Sequence, residues 1–179
     1  MRRRTVLVAL AFAALGTTLP AQSFMGEMHR DLNETQKKFI DLAKAIPAEK
    51  YDWRPGPGVR SVREVLLHVA SENYFLPTMM GTPAPAASGI GSDYATVTAF
   101  EKQALSKDQV VAALEASFRH IHGAIGVNTD QNMGEMIKFF GQDWSRSRSM
   151  VLTVTHIHEH LGQMIAYARQ NNVKPPWSQ

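Results

Sequence analysis

The segment His156-Ile-His-Glu-His160-Leu-Gly-Gln163 sets two imidazoles, His156 and His160, four residues apart in a stretch with helical apolar spacing. On a helix that spacing stacks both rings on one face. A divalent ion needs neutral imidazole nitrogens converging at about 2.0 to 2.1 Å, and one helical turn pre-positions two of them. With His156 at 0°, His160 lies at about 40° and the centre of the stripe Met150, Val154, Ile157, Leu161, Met164 and Ala168 near 120°. Both rings therefore sit beside the core. His158 falls roughly 160° to 200° from them and cannot share their ion without breaking the helix.

A third imidazole has to come from another element. His68 holds the corresponding shoulder position on an earlier amphipathic stretch, where a helical bundle lets two helices present side chains to one interior point. Three imidazoles with one open position is a ligand set of catalytic metal sites. Glu72, one turn after His68, is the candidate catalytic carboxylate, as a base beside the ion or as a fourth ligand. Gln163 and Tyr167 share the His156/His160 side of the last helix and are candidates to orient those rings. His29, His120, His122 and His158 are expected at the surface.

Read as a string, His156-x-x-Glu159-His160 also matches the inverted zinc-protease motif. That chemistry needs a further acidic ligand downstream, and no Asp or Glu follows His160. Haem is disfavoured as well, since the chain has no cysteine for a Cys-x-x-Cys-His attachment.

The elements that must position these groups are helical. Met25, Met28, Leu32, Phe39, Leu42 and Ile46, with Thr35 in the gap, mark an amphipathic helix that stops near Pro47. Trp53-Arg-Pro-Gly-Pro-Gly58 breaks the pattern, and Ser61 with Glu64 three residues on is a capping box opening a second helix that runs to Gly81. Residues 81 to 104 read as a long connection with one short helical turn near Thr98 to Gln103. Ser106, with Gln109 at the matching capping position, opens a third helix whose apolar set is Val111, Leu114, Phe118, Ile121 and Ile125. Residues 126 to 143 read as a loop with a brief helix around Met136 to Phe140, and a last helix runs from about Asp143 or Trp144 to Arg169. No stretch alternates with period two long enough to argue a sheet, so the expectation is all-α, a four-helix bundle.

Met1-Arg-Arg-Arg4 precedes an apolar run from Val6 to Leu15 and small residues near Ala21, the layout of a cleaved signal peptide at 1–21 ahead of a domain at 22–179. The run is short of the roughly 20 residues a membrane span needs. Removing three arginines from 19 basic residues leaves 16 against 16 acidic ones. That neutral balance gives no support for a nucleic-acid surface. The expected location is the periplasm or the exterior, with no stable membrane insertion after cleavage, and zero cysteines exclude disulfides and protein thiol chemistry.

Trp53-Arg-Pro55, Ser61-Val-Arg-Glu-Val-Leu-Leu-His68, His156-x3-His160-x-Gly-Gln163, and Tyr167-Ala-Arg169 running into Pro175-Pro-Trp177 together resemble the DinB/YfiT superfamily over most of the domain. The resemblance implies a four-helix bundle holding a divalent ion (zinc or nickel first, manganese or iron also found) on His68, His156 and His160. Among relatives the resemblance implies thiol-dependent transferases or isomerases, while the open three-histidine site itself points to a metal-dependent hydrolase or transferase of a small molecule. An oxidising compartment disfavours a reduced thiol cosubstrate. The competing reading is a non-catalytic bundle that binds a metal or ligand, and a homodimer is left open.

Overall fold

The computed structural model describes residues 23–178, so the expected leader at 1–21 lies outside the described residues. Five helices and one hairpin follow in order: α1 (Phe24–Ala45), α2 (Val62–Met79), α3 (Tyr94–Glu101), α4 (Lys107–Gly126), β1 (Met136–Phe139), β2 (Gln142–Ser145) and α5 (Arg146–Gln170). Helices α1, α4, α2 and α5 form a ring in which each packs on the next, and α3 lies on the outside of α2. Among the described residues no helix is long and apolar enough to cross a membrane.

Local chemistry sets the helix starts. Ser61 accepts the Glu64 amide at 3.2 Å while the Glu64 carboxylate accepts the Ser61 amide at 2.6 Å, closing the expected capping box. Ser106 and Gln109 repeat it at α4. In α1, Thr35 is buried at 1 % exposure in the gap of the apolar stripe. Its hydroxyl donates to the Asp31 carbonyl, so the polar group is not orphaned.

Helix α2 departs from the expected one-sided stripe: every residue from Val65 to Pro77 is buried. Helices α4, α5 and α3 cover it from different sides. Its polar residues need internal partners, and Ser71 donates to the His68 carbonyl while Asn73 donates to Ser117. The short turn expected at Thr98 to Gln103 is the longer helix α3, opened by Asp93, whose side chain accepts the Ala95 amide. That cover brings α3 against the helix that carries His68.

The brief helix expected around Met136 to Phe140 is instead an antiparallel hairpin, with Phe139 paired to Gln142 and Met136 to Ser145. Its two-residue loop places both Phe140 (φ 49) and Gly141 (φ 74) in the left-handed region, the type I′ pattern that matches strand twist. Each strand has four residues, too short for period-two alternation to register. The last helix accordingly starts at Arg146, capped by Ser145, rather than at Asp143 or Trp144.

Replacing Ser61 by Ala removes the hydroxyl that accepts the Glu64 amide, leaves the backbone amide of residue 61 on the Glu64 carboxylate, and should cost about 1 kcal/mol. For a domain of this size that is a fall in Tm of roughly 2 to 4 °C. Thermal melts of the two proteins check it.

Candidate metal centre

His68 comes from the middle of α2, and His156 and His160 from adjacent turns of α5. The ligand atoms of these three residues lie within 4.8 Å of one another, a grouping that could hold a metal ion. His156 Nε2 stands 3.3 Å from His68 Nε2 and 3.2 Å from His160 Nε2. A tetrahedral ion with bonds of about 2.0 to 2.1 Å sets its ligand nitrogens about 3.3 to 3.4 Å apart, so the donor set fits a small divalent ion.

The outer nitrogens decide which way the lone pairs face. His68 Nδ1 donates to Glu101 Oε1 at 2.6 Å, and His160 Nδ1 donates to Gln163 Oε1 at 2.8 Å. With those protons spent outward, both Nε2 atoms present lone pairs to the centre. His156 Nδ1 is buried with no partner. Burial lowers the His156 pKa to about 3, helped by the neighbouring His160 and His68. Burial likewise lowers His160, partly offset by its bond to Gln163. Neutral imidazoles are the form a metal ion takes up.

Two carboxylates flank the rings. Glu101, at the end of α3, is pushed up by burial, but hydrogen bonds from His68 and Arg60 hold it below the usual carboxylate range. It therefore stays an acceptor. Glu72 is 4 % exposed, and burial raises its carboxyl above the usual range against the pull of His68 and the Tyr94 hydroxyl. It does not join the three-histidine grouping, so it stands beside the cluster and not within it. A cavity of 150 Å³ borders Glu101 and Arg60, together with Arg54, Glu64 and Lys102, and none of the three histidines lines it.

Sequence reasoning selected the three histidines and Gln163 but missed Glu101. The carboxylate lies 33 residues from His68, in a segment read as connection, and no local spacing links the two. His158 points away, as helical geometry requires, with Nε2 2.8 Å from Asp31 Oδ2 and 3.0 Å from Thr35 Oγ1 on α1. His29, His120 and His122, expected at the surface, are half-buried instead. His29 stacks on His122, and His120 packs on Tyr74. Trp144 stacks on Phe139 in the hairpin under Arg148.

The sequence model of the DinB superfamily matches residues 31–164. No curated protein matches the chain. A DinB-like protein of Bacillus cereus superposes with a TM-score of 0.71 at 17 % identity, covering 88 % of this chain and 99 % of its own. YfiT of Bacillus subtilis, described as a probable metal-dependent hydrolase with an unusual four-helix bundle topology, gives 0.64 at 17 %, covering 84 % and 89 %. A second Bacillus subtilis protein, DinB-like YjoA, gives 0.64 at 14 %, covering 86 % and 97 %.

In chelator, Tm should fall as pH drops from 7 to 5. The folded His156 value, about 3, lies below its ordinary 6.5, so the unfolded chain takes up the proton first. Stability present above pH 6.5 is lost on the way down, about 2 kcal/mol of it by pH 5 from this residue. His156→Leu should flatten that slope; equal slopes in the two proteins would contradict the assignment.

Proposed function

Because the chain belongs to the DinB superfamily, we propose that it is a metal-dependent hydrolase of a small molecule, with a divalent ion held by His68, His156 and His160. The observation that carries this reading is the convergence of three imidazole nitrogens, two of the separations being 3.2 and 3.3 Å. When bound, such an ion supplies Lewis acidity, polarising a substrate group or lowering the pKa of water or a thiol.

The remaining work belongs to the chain. Glu101 and Gln163 hold the His68 and His160 rings in the tautomers that leave Nε2 free. Burial of His68 at 4 % exposure keeps water from competing at its nitrogen. Glu72, its affinity for a proton raised by burial, is the group beside the cluster suited to take a proton from a substrate and return it. The Tyr94 hydroxyl is pushed up to about 12, first by burial and then by Glu72, so it stays a donor aimed at that carboxyl. Zinc or nickel suits the all-imidazole set, and manganese or iron the wider range found in relatives. Action outside the cytoplasm follows if residues 1–21 are removed on export.

None of the three histidines lines the 150 Å³ cavity at Glu101, which favours a second reading, a non-catalytic bundle that holds a metal or ligand. Substitution separates the two. Elemental analysis of purified protein should find a single ion per chain, lost in His68→Ala, His156→Ala and His160→Ala. Glu72→Gln should keep the ion but slow hydrolysis of an activated ester such as p-nitrophenyl acetate about 10²-fold or more. Metal retained in all three histidine variants overturns the ligand assignment. Full metal with unchanged, histidine-independent turnover leaves only the binding reading.

A further inference from the structure

The hydrogen bonds that orient His68 and His160 can each be followed outward, and both end on the same residue. From His68, Nδ1 meets Glu101 Oε1 at 2.6 Å, and Glu101 is gripped by Arg60, Nε to Oε2 at 2.9 Å and the second guanidinium nitrogen to Oε1 at 3.3 Å. From His160, Nδ1 meets Gln163 Oε1 at 2.8 Å, Gln163 Nε2 donates to the Tyr167 hydroxyl at 2.9 Å, and that hydroxyl donates to the Arg60 carbonyl at 3.1 Å. The two rings sit on different helices, yet one loop residue closes the circuit.

The direction of every bond follows from what Arg60 offers. A guanidinium can only donate, so Glu101 must accept from it and, as a carboxylate, also from His68 Nδ1–H. A backbone carbonyl can only accept, so Tyr167 spends its one proton there. Gln163 must then turn its amide nitrogen to Tyr167 and its oxygen to His160, which fixes the proton on Nδ1. Opposite ends of one residue thus set the same tautomer on both rings. His156, whose Nδ1 has no partner, lies outside the circuit.

Arg60 itself is braced. It precedes the Ser61 capping box, and the chain before it is tied to α2 by Val62 N to the Trp53 carbonyl at 3.0 Å and Arg63 N to the Tyr51 carbonyl at 2.8 Å. Trp53 packs edge-on against the Tyr167 ring at 5.3 Å, which accounts for an aromatic residue in the Trp-Arg-Pro stretch. We propose that Arg60 is a positioning residue that couples the His68 and His160 rings and so sets the metal affinity of the centre. This rests on the reading of those histidines as metal ligands.

The test uses the full chain with zinc and cobalt(II), measuring affinity by competition and the visible cobalt spectrum. Arg60→Ala should weaken zinc binding about 10-fold or more and shift the cobalt bands. Arg60→Lys, with charge but no fork for Glu101, should fall between. Tyr167→Phe should also weaken binding, and the double variant should lose less than the product of the two single losses, as linked residues do. Apo Tm controls for folding; should Arg60→Ala melt far below the wild type, Arg60→Lys and Glu101→Gln carry the same comparison. Unchanged affinity and spectrum in the Arg60 variants, or losses that multiply, overturn the coupling while leaving the ligand assignment intact. A wild type that takes up neither metal overturns that assignment first.

Discussion

Three imidazole nitrogens gathered around one point have given up water at their polar edges, and with the His68 and His160 protons turned outward only the His156 Nε2–H is left to bridge them. The same burial that takes His156 down to about 3 removes the remedy of protonation. A stiff scaffold keeps the separations at 3.2 and 3.3 Å. Close-packed helices supply it, since core side chains interdigitate and do not yield by fractions of an ångström without strain. The cluster is thereby preorganised for a cation.

Burial of α2 on all its sides is what places His68 deep enough, and it forces the rest of the architecture. Two bundle neighbours leave part of its surface uncovered, and α3 closes that part. The long connection between α2 and α4 is thus part of the core wall. Helix α3 also ends in Glu101, whose carboxylate is repaid for its desolvation by two donors, His68 and Arg60. Cover and orientation come from the same eight residues.

How much of this was legible depends on whether the determining interaction is local. Both capping boxes, the α1 stripe with Thr35 in its gap and the His156/His160 pair lie within a few residues, and each is where the spacing puts it. His68 needed one step more, the assumption that two core-edge histidines on different helices would meet. The hairpin was hidden because its strands are short and its turn has Phe140 where Asn or Gly is usual. Glu101 and Arg60 were hidden for another reason: their partners are distant in sequence, and nothing about an exposed-looking Arg beside a Pro-Gly loop announces a carbonyl that a tyrosine 107 residues away will find.

His158, which contributes nothing to the cluster, acts on it through rotation. A helix is about 10 to 12 Å across with its side chains, so turning α5 by 10° sweeps a side-chain tip through about 1 Å. Metal bonds tolerate only about 0.2 Å. His158 sits on the opposite face of the same turn and is held by Asp31 and by the buried Thr35 hydroxyl of α1. The middle imidazole therefore ties to α1 the face of α5 that lies opposite its two neighbours.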